Sequence, residues 1–269
     1  MQAMRCTFTH LFLAIGLHLL LSHAFAQPIL GETTVRVVPK KQKTANADHV
    51  RDYGYIEISG DIRKSAVAKL AAAIPEARRT AGSFTHDGEP VLRLFLSSRG
   101  GEVLAATQLG LLIRSQAIEV WVDKGAECSS ACILILAGGV SRTAVPGARL
   151  GIHRPYFSPD EFASLSHTQS QDQYSKLADG VRQYLAKMGV SEALYDAMLK
   201  VESRKMVYVS AEFAESTRLL GDDPAYQEWR RAKDQKALGS RRLEMLERYT
   251  DCINSGAPDS QCSKVLTNW

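Results

Sequence analysis

The chain has 269 residues, of which 45% are hydrophobic and 23% are charged, and its formal net charge is +4. This balance is typical of a globular protein with one sizeable core, so we expect one main domain and a tail. So small a positive charge gives no indication of nucleic-acid binding, and we expect no nucleic-acid partner.

The first 26 residues have the three parts of a secretory signal peptide. Arg5 gives a short basic start, an apolar stretch runs from Leu11 to Leu21, and Ala24–Ala26 is a small-x-small cleavage site. The apolar stretch is shorter than the roughly 20 residues that cross a membrane, although an uncleaved anchor is the alternative. We therefore predict a signal peptide over 1–26 and a periplasmic or secreted protein.

Four cysteines remain when Cys6 is removed with the signal peptide: Cys128, Cys132, Cys252 and Cys262. An even number of cysteines in an exported chain predicts disulfides, and the natural pairs are the two that are local in sequence. Zinc is disfavoured, since neither pair has the C-x₂-C spacing and no histidine cluster lies near. For the first pair, two reduced thiols packed as small hydrophobic residues are the alternative.

Strand and helix patterns alternate between residues 55 and 153. The predicted strands are 55–58, 91–96, 118–122 and 150–153, and a buried helix is predicted over 128–136. Alternation of this kind favours a parallel sheet with crossover helices, whose sites lie at the carboxyl ends of strands. The polar stretch 27–52 lacks periodicity and predicts a flexible arm, and 224–269 predicts a charged helical tail.

Three short motifs lie at or beside these strand ends, and each alone fits a structural role. Ser98-Arg99-Gly100-Gly101 is a tight turn, the serine pair before Ala131 is a helix cap, and His153 ends an apolar strand. Together they contain a hydroxyl nucleophile, a base and free N–H donors, which are the parts of a serine hydrolase.

The order of these motifs resembles that of ClpP-type serine peptidases. The chain shows S-x-G-G, a serine between small residues, A-G at 137–138, R-x-x-x-P from Arg142 to Pro146, and I-H-x-P at 152–155. The segment S-A-E-F-A at 210–214 extends the resemblance, which runs from about 55 to 223. The C-x-S-A-C form and the signal peptide look most like periplasmic ClpP-like proteins. The resemblance implies an α/β fold for 53–223, a ClpP/crotonase-like spiral of β-β-α units with a parallel sheet, followed by the helical C-terminal tail.

The resemblance also implies roles for individual residues. Ser130 matches the nucleophile, His153 the base, and the N–H groups of Gly101 and Ala131 the oxyanion hole. Ser129 is the rival nucleophile, because counting back from Ala137-Gly138 without gaps favours it, whereas the C-x-S-A-C register favours Ser130.

The third triad residue departs from the family pattern. Alignment on Ser210-Ala211 puts Met206 where the family has its aspartate, and Glu202 is the nearest acid that could replace it. Loss of the orienting carboxylate can lower turnover by about 10⁴.

Three functions are compatible with these residues. The first is an exported serine hydrolase of the peptidase type. It would need no ATP or ATPase partner, because the chain has no P-loop, and it would need no cofactor. The second is an inactive binding or scaffold protein of the same fold, favoured by Met206 and by a crosslink beside the serine. The third, a crotonase-like acyl-CoA enzyme, is disfavoured because CoA is a cytoplasmic carrier. A peptide or protein substrate and a homo-oligomer fit the resemblance.

Overall fold

A computed structural model describes residues 32–39, 54–80, 90–156 and 166–266. The predicted signal peptide lies outside the described residues. Within them the chain is a mixed α/β protein, with a central sheet and helices packed against it. No helix in these ranges is long and apolar enough to cross a membrane.

The strands are β1 Thr34–Val38, β2 Tyr55–Ser59, β3 Arg93–Ser97, β4 Glu119–Val122, β5 Glu127–Ser129, β6 Ser141–Ala144, β7 Arg149–Ile152, β8 Val207–Tyr208 and β9 Gly221–Asp222. The helices are α1 Ser65–Thr80, α2 Val103–Ser115, α3 Cys132–Ala137, α4 His167–Lys187, α5 Glu192–Lys200, α6 Ala211–Ser216, α7 Pro224–Leu238, α8 Ser240–Asn254 and α9 Asp259–Cys262, followed by a 3₁₀ turn Ser263–Leu266.

The larger sheet has the strand order β1-β2-β3-β4-β6-β9. Its four central strands are parallel, whereas β1 and β9 run antiparallel at the two edges, so the sheet is mixed rather than wholly parallel. A smaller sheet has the order β5-β7-β8, in which β5 and β7 are parallel. The buried apolar residues of β2, β3 and β4 fit central strands that are covered on both faces.

Strand β1 corrects the prediction of a flexible arm over 27–52 at residues 34–38, whereas 27–31 and 40–52 lie outside the described residues. Its residues pair with the whole of β2, with Val35 opposite Ile58 and Val37 opposite Ile56. Both valines pack against the hydrophobic core, and pairing satisfies the outer backbone edge of β2. The alternation of polar and apolar residues in T-V-R-V-V could have predicted this strand, but five alternating residues within a polar stretch are weak evidence for a strand.

Residues 128–136 do not form the single helix that the sequence predicts. The chain instead forms β5, turns at Ser130, and begins α3 at Cys132. Strand β5 pairs with β7, with Cys128 opposite Leu150 and Ser129 opposite Gly151. Residues 127–129 therefore form a strand and not a helix because they pair with a strand about 20 residues later in the chain.

Helices α2, α3 and α4 pack closely behind the sheet. A Cβ on Gly138 would lie 2.5 Å from Cα of Gly110, so α2 and α3 approach at backbone distance. Tyr184 of α4 donates its hydroxyl to the Leu134 carbonyl at 2.6 Å. Arg142 is buried among these helix ends and donates to the Met188 carbonyl at 3.3 Å. Burial, then the nearby Arg114 charge, lowers the pKa of Arg142 to about 10.

The charged tail folds as three helices. Asp223 caps α7 by accepting the Tyr226 N–H at 2.8 Å. Arg231 of α7 pairs with Glu247 of α8 at 2.7 Å, and a disulfide joins Cys252 of α8 to Cys262 of α9. The structure thus contains the predicted tail disulfide.

Candidate active site

Ser130 lies at a sharp turn between β5 and α3. Its φ is +57°, a left-handed conformation that costs a non-glycine residue roughly 1–3 kcal/mol. The surrounding backbone holds it there, because the Ser130 N–H donates to the Gly151 carbonyl at 2.9 Å and the Ser129 N–H donates to the Ser98 carbonyl at 3.0 Å. A strained turn from strand to helix is how α/β hydrolases present a nucleophile.

His153 follows β7 and reaches the same turn. Its Nε2 lies 2.6 Å from Ser130 Oγ, which is hydrogen-bonding distance for a general base. The His153 residue is only 5% exposed. Burial lowers the pKa of His153, and the nearby polar backbone of Arg154 opposes this in part. The neutral imidazole, which is the form that can accept the serine proton, is therefore favoured.

The other ring nitrogen of His153 has no carboxylate beside it. Nδ1 is buried and has no hydrogen-bond partner among the described residues. Glu202 is exposed and pairs with Lys205 at 2.9 Å, so the prediction of Glu202 as the orienting acid is corrected. Met206 packs at Gly151, where its sulfur would lie 2.8 Å from an added Cβ. The chain thus presents a Ser-His pair without a described third member.

Ser129 points away from the histidine. It is fully buried and donates its hydroxyl to Glu127 Oε1 at 2.7 Å. Glu127 also accepts the Tyr208 hydroxyl at 3.0 Å and pairs with Arg149 at 2.7 Å. The Ser129 hydroxyl is thus held by Glu127, whereas Ser130, one residue past the end of β5, has its Oγ 2.6 Å from His153 Nε2. The geometry favours Ser130 over Ser129 as the partner of His153.

The Glu127 cluster was not anticipated from the sequence. Its members come from β5, β7 and β8, and Tyr208 lies 81 positions from Glu127 in the chain. Only the alternation of Glu127 with the buried Cys128 hinted that Glu127 and Ser129 share a face.

The Ser98–Gly101 turn lies against the nucleophile. Gly100 has a φ of +115°, and a Cβ added to it would lie 2.6 Å from Ser130 Cβ. The Gly100 N–H donates to Ser98 Oγ at 3.0 Å. Among the hydrogen bonds of the described residues, neither the Gly101 N–H nor the Ala131 N–H is a donor. Both groups are therefore free to donate to a ligand.

The Cys128–Cys132 disulfide is present and encloses the same turn. Both residues are fully buried. The disulfide and the Ser130–His153 contact exist together, so the crosslink does not separate nucleophile and base. No group of three or more His, Cys, Asp or Glu residues in the described ranges is arranged to hold a metal ion.

No family model matches the chain, and no curated protein matches it. Solved structures do match. A mutant of ClpP1 from Listeria monocytogenes is 16% identical, with a TM-score of 0.43, and the match covers 60% of this chain and 84% of that one. A mutant of the 1510-N membrane-bound stomatin-specific protease is 16% identical, with a TM-score of 0.43, over 65% of this chain and 81% of that one.

A further mutant of the 1510-N protease, in complex with a substrate peptide, is 17% identical, with a TM-score of 0.45, over 61% of this chain and 71% of that one. The chain is similar in fold to these proteins. What it can do chemically is set by its own residues at Ser130 and His153.

Proposed function

We propose that the chain is an exported serine hydrolase of the ClpP-like class, which cleaves peptide bonds without ATP. The observation that carries this proposal is the 2.6 Å contact between Ser130 Oγ and His153 Nε2 at a strained strand-to-helix turn. Two local disulfides are in keeping with an oxidising compartment. The absence of a P-loop from the sequence favours a reaction that needs no ATPase partner.

The reaction follows from the positions of the groups. Ser130 Oγ attacks the carbonyl carbon of the substrate while His153 Nε2 takes the hydroxyl proton. The free N–H groups of Gly101 and Ala131 donate to the developing oxyanion. His153 then gives its proton to the leaving amine, and water, activated by the same imidazole, releases the acyl group.

Turnover is expected to be slow. The neutral tautomer that accepts the serine proton carries its own proton on Nδ1, and that proton has no described acceptor. No described carboxylate then fixes the tautomer or stabilises the imidazolium, and a pair that lacks this carboxylate can be about 10⁴-fold slower than a full triad. Covalent labelling therefore tests the proposal better than multiple turnover, because it requires one attack only.

The test is labelling of the purified mature protein with a fluorophosphonate, followed by peptide mass mapping. We expect the phosphonyl group on Ser130 and none in Ser130→Ala. Ser129→Ala is the matched control, since it removes the adjacent hydroxyl and its bond to Glu127, at about 1 kcal/mol of stability, but keeps Ser130. Label that persists in Ser130→Ala, or label on Ser129, would exclude Ser130 as the nucleophile.

One observation favours the second candidate, an inactive binding protein of the same fold. A buried His153 Nδ1 with no partner is what remains when an orienting acid has been lost. Wild-type protein that is folded, with both disulfides formed, and that takes no label between pH 6 and 9 would support this candidate over the hydrolase.

We further propose that β-β-α units form the spiral of the ClpP/crotonase class and that the protein works as a homo-oligomer. Sedimentation of the mature protein at micromolar concentration tests the assembly, and a monomer at all concentrations would contradict it.

A further inference from the structure

The Cys128–Cys132 disulfide brackets the nucleophile in the chain. Cys128 lies in β5, two residues before Ser130, and Cys132 is the first residue of α3, two residues after it. The crosslink therefore closes a five-residue loop whose central residue is Ser130. The crosslink therefore restrains the backbone on both sides of Ser130.

Ser130 needs such a restraint because its backbone is strained. The left-handed φ of +57° is maintained by neighbours and not by local preference. Strand β5 has three residues and α3 has six, so neither element is long enough to hold its own end rigidly. Since a displacement of about 1 Å at a reacting group can cost about 100-fold in rate, small relaxations of this turn matter.

We propose that the Cys128–Cys132 disulfide positions Ser130 for attack, so that the hydrolase reacts rapidly only in the oxidised chain. This inference rests on the proposed function. The two thiols lose two protons and two electrons as the sulfur–sulfur bond forms. A disulfide of the thiol–disulfide exchange class accepts the electrons and is reduced to a dithiol. A chain still in a reducing compartment would keep both thiols and react slowly until export.

The tail supplies a matched control. Cys252 and Cys262 form the second disulfide, between α8 and α9, and neither is part of the strands or turns that surround Ser130. Both double variants remove one local disulfide and two sulfur atoms. They differ in whether the lost crosslink encloses the nucleophile.

The first experiment compares three proteins: Cys128→Ala/Cys132→Ala, called the elbow double variant, Cys252→Ala/Cys262→Ala, called the tail variant, and the wild type. We expect the fluorophosphonate labelling rate of the elbow double variant to fall about 100-fold, while the tail variant stays within about twofold. With an activated ester substrate, kcat should fall and KM should change little, because the lost restraint acts on the nucleophile and not on substrate binding. Circular dichroism shows whether each variant is folded.

The second experiment leaves Cys128 and Cys132 unsubstituted. The tail variant, whose only described disulfide is Cys128–Cys132, is refolded either in dithiothreitol or in oxidised glutathione, and thiols are counted by alkylation. Slow labelling of the reduced form, restored on oxidation of the same sample, supports the proposal even if the elbow double variant fails to fold.

The two ideas fail in different ways. If the oxidised wild type takes no label, the proposed function is wrong. If Ser130 is labelled equally fast in the oxidised and reduced forms, the hydrolase stands and the positioning role of the disulfide is wrong.

Discussion

The strength of His153 as a base depends on two features of its surroundings that act together. Burial lowers the pKa of the imidazole, and no described carboxylate lies at Nδ1 to raise it again. In a full triad the carboxylate stabilises the imidazolium that forms during attack. Here the lowered pKa keeps the imidazole neutral over a wide pH range. The same lowered pKa makes the imidazolium less stable, so His153 is a weaker base during attack.

The pH dependence of acylation tests this account at the level of one residue. Only neutral His153 accepts the Ser130 proton, so activity is lost as pH falls through the pKa of His153. Since burial lowers that pKa from its ordinary value of 6.5, we expect the acid-side midpoint of kcat/KM to lie below 6.5. The measurement is the rate of fluorophosphonate labelling between pH 4.5 and 8.

A midpoint at or above pH 6.5 would contradict this prediction. It would indicate that an anionic group stabilises the protonated ring in solution. Glu202→Gln is the control, because it removes the exposed carboxylate that pairs with Lys205. We expect Glu202→Gln to leave the midpoint unchanged.

At the scale of elements, the site is the contact between two turns. The turn from β3 to α2 carries Gly100, and the turn from β5 to α3 carries Ser130. An isolated bridge between Ser98 and Cys128 ties the two strand ends together. The site therefore depends on backbone approach, which only a residue without Cβ permits at position 100.

Gly100→Ala should disturb the nucleophile. The added Cβ would lie 2.6 Å from Ser130 Cβ and 3.0 Å from the Ser129 carbonyl oxygen, and the φ of +115° is itself unfavourable for alanine. We expect the labelling rate to fall at least about tenfold, together with a lower thermal midpoint. Gly125→Ala is the control, because its φ of +78° is also left-handed but its Cβ would meet nothing within 4 Å.

The comparison separates strain from contact. Both substitutions place an alanine at a positive φ, which destabilises by more than about 1 kcal/mol, and only Gly100→Ala adds the collision with Ser130. Equal labelling rates in the two variants would show that Gly100 does not support the nucleophile.

The same elements show what sequence could and could not predict. The buried strands and α2 followed from continuous apolar runs and helical periodicity, which are local properties. The turn at Ser130 did not, because every residue from Cys128 to Leu136 is either small or apolar and is compatible with a helix. The pairing of β5 with β7, which is a tertiary contact, determines the turn. Glu202 was misplaced for a similar reason, since the path of the chain after α5 is set by tertiary contacts.

At the scale of the whole molecule, an ion pair lies at the junction between the domain and the tail. Arg114 of α2 contacts Asp223 at 2.5 Å, and Asp223 also caps α7. Arg114 further donates to the Gly138 carbonyl at 3.1 Å, at the end of α3. Asp223 therefore links the start of the tail to the helices behind the catalytic turn.

Asp223→Ala should destabilise the protein in a pH-dependent way. Burial raises the pKa of Asp223, but the hydrogen bond and charge of Arg114 and the Tyr226 N–H outweigh burial and hold that pKa below its ordinary 3.8. A carboxylate with a lowered pKa stabilises the folded state above its unfolded pKa, and this contribution is lost as pH falls through the folded pKa. At pH 7 we expect a loss of about 3 kcal/mol, because Arg114 is left without its anion close to buried Arg142.

The measurement is urea unfolding of wild type and variant at pH 7 and at successively lower pH, where the difference between the two stabilities should shrink as the pH falls below 3.8 and through the folded-state pKa of Asp223. Asp172→Ala is the control, since the pair of Asp172 with Lys176 is exposed, with 60% and 70% of the side chains accessible, and should contribute under about 1 kcal/mol. If Asp223→Ala lowers the free energy of unfolding at pH 7 no more than the control does, then Asp223 does not stabilise the packing of the tail on the domain. A loss that does not shrink at any pH below 3.8 at which the wild type still folds would assign the effect to the cap geometry of α7 and not to the charge of the carboxylate.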